Sequence, residues 1–125
     1  MSDDNYVSTV FTAPGGFTSG IEGPGCDRLG NLYAVNYERQ GTIGLVTPTG
    51  ETSVFLDLPE GSTGNGIRFD GAGRMLIADY TGHNVLRVDM ETRAISRWAH
   101  EPTFNQPNDI AISAEDLVFA SDPDW

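Results

Sequence analysis

The feature that most limits what this chain can fold into is a period of 43 residues. "EGPGCDRLGNLYAVN", starting at Glu22, is followed by "NGIRFDGAGRMLIAD" from Asn65 and by "NDIAISAEDLVFASD" from Asn108. The register holds at three further phases: Asp27, Asp70 and Ser113; Gly30, Gly73 and Asp116; Asn36, Asp79 and Asp122. A fixed period of roughly 20 to 50 residues marks an array of one structural unit, and such a unit buries its apolar face only by stacking on its neighbours.

Inside the unit every segment reads as strand. "GIRFD", "RMLIAD", "VLRVD" and "AISRWA" are short runs rich in β-branched, Leu and aromatic residues, and the turns "GAG" and "YTGHN" divide them. The first copy keeps the order with "LYAVN", "IGLVTP" and "TSVFLDL". No segment carries a sustained helical stripe. Four strands per unit at this period predict an all-β fold, a β-propeller of four-stranded blades around a central channel.

Residues 22–61 then form one blade, 65–104 a second, and 108–125 the first two strands of a third. "VSTVFTAPGGFTSGIEG" matches "TSVFLDLPEGSTGNGI" in order and chemistry, which predicts an outermost, ring-closing strand over residues 6–13. About two and a half blades cannot close a ring, and an open one exposes unpaired sheet edges. The expected completion is a second polypeptide carrying the remaining blades, or a two-fold homodimer. The first is favoured because 108–125 stops inside a blade.

Charge narrows the partners. Eighteen acidic side chains face seven basic ones, all Arg, for a net charge of −11. Nucleic-acid affinity comes mostly from Lys and Arg neutralising phosphates, so a nucleic-acid partner is not expected. Cations and neutral or cationic small molecules are. Met1 leads into "SDDNYVSTVF", with neither the basic segment nor the apolar core of a secretory signal. No run approaches the roughly 20 apolar residues of a membrane span. A cytoplasmic protein without a membrane partner is the expectation. Cys26 stands alone, so no internal disulfide forms, and it reads as a small buried or half-buried residue. With only His83 and His100 beside it, no zinc motif is spelled out. Nucleophile elbows, phosphate-binding loops, H-E-x-x-H pairs and EF-hand loops are absent from the sequence.

Glu22, Asn65 and Asn108 share one phase. A single Asn before Gly is ordinarily a turn residue, since it tolerates unusual backbone angles and bonds locally. Three oxygen-bearing side chains at one phase of an array point instead to a shared site where the inner strands converge. Asn36, Asp79 and Asp122 close the second strands and read as structural, hydrogen-bonding the turns between strands, rather than as substrate contacts. Asp27 and Asp70 read as hairpin residues, and Phe55 and Trp98 as packing between blades. His83 is either a solvated loop residue or a lining of the channel mouth.

Taken together, "EGP", "GNLYAVN", "GNGIRFDGAGRMLIAD", "QPNDIAIS" and "FASDPDW" resemble a known family, the six-bladed propellers of the gluconolactonase, regucalcin and luciferin-regenerating enzyme group, with diisopropyl fluorophosphatase as a more distant relative. The resemblance implies a six-bladed ring of which these residues are the N-terminal half. It also implies a Ca²⁺ site, or one for another divalent cation, in the central channel where the innermost strands begin. On this resemblance Glu22 matches the glutamate ligand and Asn108 the asparagine ligand. Asn65 matches an asparagine that binds the metal or holds the substrate. Loops between second and third strands approach the channel in this family, which adds His83 as a substrate-binding candidate. The family's aspartate, a ligand and suspected base, has no counterpart here, so the catalytic base is expected outside these 125 residues.

The chemistry is consistent with that. Ca²⁺ is a hard cation that takes about 6 to 8 oxygens, and a cation held by few carboxylates keeps enough charge to polarise a carbonyl as a Lewis acid. The expectation is a calcium-dependent hydrolase that opens a sugar lactone or similar cyclic ester. The alternatives are a non-catalytic calcium-binding or partner-binding propeller scaffold and an organophosphate-hydrolysing relative.

Overall fold

The computed structural model describes residues 6–125 and is built of strands and turns. Ten strands run in chain order: β1 (Gly25–Cys26), β2 (Leu32–Val35), β3 (Thr42–Val46), β4 (Thr52–Asp57), β5 (Gly64–Phe69), β6 (Met75–Asp79), β7 (Asn84–Val88), β8 (Ile95–His100), β9 (Ile110–Ile112) and β10 (Val118–Ala120). They form two four-stranded antiparallel meanders, β1-β2-β3-β4 and β5-β6-β7-β8, and a two-stranded hairpin β9-β10. Each sheet is one blade in sequence order, as the period requires.

The turns follow from their residues. Asp27 takes the backbone N–H groups of Leu29 and Asn31 on Oδ1 at 2.9 and 3.0 Å, closing the β1–β2 hairpin. Asp70 does the same for Ala72 and Arg74 between β5 and β6, at 3.0 and 2.9 Å. Ser113 Oγ accepts from Glu115 and Leu117 between β9 and β10. One polar residue at one phase of the repeat thus ties the i+2 and i+4 amides of three hairpins, the local bonding that makes Asp and Ser turn residues. Partial burial works against the charged form of Asp70, but the Arg74 backbone and guanidinium and the Ala72 amide outweigh it and hold its carboxyl below the usual value. Asp27 is lowered in the same way, burial being outweighed by bonds from Asn31, Leu29 and Tyr33. Burial first, and the Asp27 charge second, push the Tyr33 hydroxyl up to about 12.

The main core lies between the two full blades. Tyr33, Val35, Ile43 and Phe55 meet Ile67, Ile77, Leu86 and Val88 there. Strand β6 is buried along its whole length, as expected of a strand with neighbours on both faces, since its opposite face is covered by β9–β10. Leu76, Ala78 and Val85 pack there on Ile110.

Three expectations change. Residues 6–13 form no strand, and Tyr6, Val7, Val10 and Phe11 are exposed. A closing strand takes its backbone partners from the inner strands of another blade, and these residues include no such blade. Cys26 is exposed rather than buried, because β1 is only two residues long and Cys26 lies at its end. Phe55 packs between blades as expected, 6% exposed, whereas Trp98 on β8 is 43% exposed. No helix among the described residues is long and apolar enough to cross a membrane.

Candidate functional site

The shared phase falls at the start of the innermost strands: Glu22 stands shortly before β1, Asn65 is the second residue of β5, and Asn108 stands shortly before β9. Their backbones approach unusually closely. A Cβ on Gly66 would lie 2.9 Å from the Asn108 carbonyl oxygen and 2.7 Å from Asp109 Oδ1. The Gly66 N–H donates to that same Asn108 oxygen at 2.7 Å. One period earlier, Gly23 at φ +56° lies against the Asn65 carbonyl, where a side chain would collide. Glycine is required at both places because backbone of the next blade occupies the space a Cβ needs. "NG" at Asn65 is therefore not a hairpin turn. It is the point where blade meets blade, and the period carries the contact from 23 against 65 to 66 against 108.

These contacts bring Glu22, Asn65 and Asn108 to one open cleft of about 210 Å³, together with Arg68 and Asp109. The backbones of two donors are tied down: the Glu22 carbonyl accepts from Val35, and the Asn108 N–H donates to Ser121. Their side chains are not. Neither the Glu22 carboxylate nor either amide hydrogen-bonds to another described residue, and both Asn residues are half-buried. One carboxylate and two amide oxygens form a hard donor set of the kind Ca²⁺ takes. They could supply three of its roughly 6 to 8 positions. Among the described residues no group of three or more His, Cys, Asp or Glu side chains comes together.

His83 is not brought to this cleft. It sits in the β6–β7 turn at φ +58°, and its Nδ1 faces the Pro102 carbonyl at 3.4 Å. Its left-handed backbone and loop contact give it a role within the turn.

Two residues near the site escape sequence reasoning. Arg68 is the cation of the cleft, 3.1 Å from Asp109 and donating to the Ile67 carbonyl at 2.7 Å. The matching positions in the other copies are Gly25 and Ala111, so no period advertises it. Gln106 precedes Asn108 by two residues, and its Oε1 is buried with no hydrogen-bond partner among the described residues. An unsatisfied buried acceptor costs about 1–3 kcal/mol, and the polar "QPND" context gives no hint of it.

No protein-family model matches the chain, and no curated protein matches it. Among solved structures it is similar to a gluconolactonase from Xanthomonas campestris, at 18% identity and a TM-score of 0.75, over 86% of this chain and 36% of that one. It is similar also to virginiamycin B lyase from Staphylococcus aureus, at 18% identity and a TM-score of 0.69, over 83% of this chain and 35% of that one. The chain thus spans little more than a third of the length of either protein. At such identity the likeness is one of fold, and residues 6–125 are part of a β-propeller: two four-stranded blades and the inner hairpin of a third.

Proposed function

We propose that Glu22, Asn65 and Asn108 form one side of a calcium site at the mouth of a propeller channel, and that the completed site opens a sugar lactone or similar cyclic ester. The observation that carries this is the convergence of three oxygen donors, 43 residues apart, on one cleft with side chains that bond to nothing else described. The likeness in fold to a gluconolactonase supports the reaction class.

Glu22 brings the negative charge that holds a cation, and the two amides bring neutral oxygens that orient it. When bound, Ca²⁺ supplies Lewis acidity toward a carbonyl oxygen, which favours attack by water. Arg68, held by Asp109, lies in the same cleft and offers a guanidinium to a substrate oxygen or to the carboxylate that ring opening releases. The remaining donors and the base come from blades beyond these residues.

Adding excess chelator to the completed propeller should abolish lactone hydrolysis and lower the melting temperature. Unchanged hydrolysis in chelator would reject the mechanism. A second reading, a calcium-binding scaffold without catalysis, is favoured by the single carboxylate of the set. It predicts calcium-dependent melting with no lactone turnover in the same sample.

A further inference from the structure

Asn36, Asp79 and Asp122 end or follow the second strand of each blade, and all three reach back 16 residues to the segment that leads into the innermost strand. Asn36 Nδ2 donates to the Gly20 carbonyl at 2.7 Å. Asp79 Oδ1 accepts from the Thr63 N–H at 3.1 Å, and its Oδ2 from Ser62 Oγ at 2.8 Å. Asp122 Oδ1 accepts from the Gln106 N–H at 2.8 Å, and its Oδ2 from Asn105 N–H at 3.0 Å. Gly20, Thr63 and Gln106 are themselves one phase of the repeat, and each stands two residues before a donor: Glu22, Asn65 and Asn108.

The residue types follow from the group they meet. At position 20 the backbone presents a carbonyl, which needs an N–H donor, and the residue is Asn. At 63 and 106 it presents N–H groups, which need acceptors, and the residues are Asp. An Asp at 36 would set a carboxylate against a carbonyl oxygen. The match of chemistry at all three places separates these contacts from the general bonding of a turn.

We propose that Asn36, Asp79 and Asp122 are positioning residues, each locking the backbone two residues ahead of one metal donor so that the three donors meet at one point. The proposal rests on the calcium reading above. A donor on an unclamped lead-in segment samples several positions, and ordering it again weakens binding. Asp79 is tied further, to Gly82 N–H and to Asn84 Nδ2, which in turn positions His100. Its loss threatens the whole blade. Asn36 Oδ1 also accepts from the Gly41 N–H at 3.1 Å, in the turn after its own strand, so Asp122, whose two bonds both go to the lead-in segment, is the cleanest probe.

The test uses the completed propeller carrying Asn36→Ala or Asp122→Ala, with Asp70→Ala as control. Asp70 is also buried and also bonds backbone amides, but in the β5–β6 hairpin of the middle blade, at the far end of β5 from Asn65. Three quantities are read: amide hydrogen exchange, melting temperature, and Ca²⁺ affinity by calorimetry. Asp122→Ala should speed exchange at residues 105–109 and Asn36→Ala at 18–23. Each should weaken Ca²⁺ binding by about tenfold or more, the usual effect of removing a residue that supports a metal ligand. Asp70→Ala should lower the melting temperature and leave Ca²⁺ affinity within about twofold of wild type. Unchanged exchange in the lead-in segments overturns the clamp. Faster exchange with unchanged Ca²⁺ affinity overturns the positioning role. A wild-type completed propeller that binds no Ca²⁺ overturns the metal reading first and the positioning role with it, and is told apart from the other failures because it occurs without any substitution.

Discussion

The two seams between blades are built differently. The seam between β1–β4 and β5–β8 is thick: Tyr33 meets Phe55 edge to face and Phe69 at a tilt, at centroid distances of 5.1 and 5.5 Å, the Arg93 guanidinium lies 4.6 Å over Phe55, and Ile67, Met75, Ile77 and Val88 are buried completely. The seam between β5–β8 and β9–β10 is thin, with Ile110 fully buried against Leu76, Ala78 and Val85. The far side of the thin hairpin is open, and Phe119 is 63% exposed. Both seams nevertheless carry the same contact at the channel, Gly23 against Asn65 and Gly66 against Asn108. The inner-strand contact is therefore a property of the repeat, whereas the depth of packing depends on how many strands each blade has. Glu22 and Asn65 are held together across the firm seam, and Asn108 is held across the soft one.

The largest effect that sharpens this contrast is Ile77→Ala. It removes a fully buried side chain from the thick seam and should cost about 2–5 kcal/mol in urea unfolding. Ile110→Ala should fall at the low end of that range, because fewer neighbours surround the cavity; an equal or larger cost would break the comparison. Next comes Gly66→Ala, whose new methyl has to push Asn108 and Asp109 away. It should cost about 1–3 kcal/mol and widen the gap between the second and third donors, seen as loss of the Gly66 amide protection.

Effects on the site itself are smaller in stability and sharper in binding. Glu22→Gln removes the one anionic donor of the trio and should weaken Ca²⁺ binding more than Asn65→Ala does, each read by calorimetry. The reverse order would deny Glu22 the leading role. The smallest effect is acid dependence at Asp70. Its folded-state pKa lies below the ordinary 3.8, so its bonds stabilise the fold above that value and the contribution is lost as pH falls below it. The stability difference between wild type and Asp70→Asn should be constant near neutral pH and shrink below about pH 4; a gap that grows with acidity would contradict the sign.

Most of the blade plan was legible because the repeat writes each turn and each close approach three times. Asp27, Asp70 and Ser113 are hairpin residues for one physical reason. Glu22, Asn65 and Asn108 meet because their phase is the phase of blade contact, which no single copy reveals. What was not legible lacks a periodic partner. Arg68 stands where the other copies have Gly25 and Ala111, and His83 is turned to Pro102 by a local backbone conformation. Residues 6–13 carry the composition of a strand, but strand formation depends on backbone partners that composition does not report. Asn36, Asp79 and Asp122 read correctly as structural, yet the carbonyl or N–H each one meets decides Asn or Asp, and that choice is visible only in three dimensions.

The most direct test is a Ca²⁺ titration of the completed propeller and of its Glu22→Gln, Asn65→Ala and Asn108→Ala variants, with each variant's melting temperature measured with and without the metal. One binding event is expected in the wild type, weakened by all three substitutions, with a calcium-induced rise in melting temperature that shrinks in step. Binding that survives all three substitutions unchanged, or a wild type that takes up no Ca²⁺, would contradict the claim that these residues form one site.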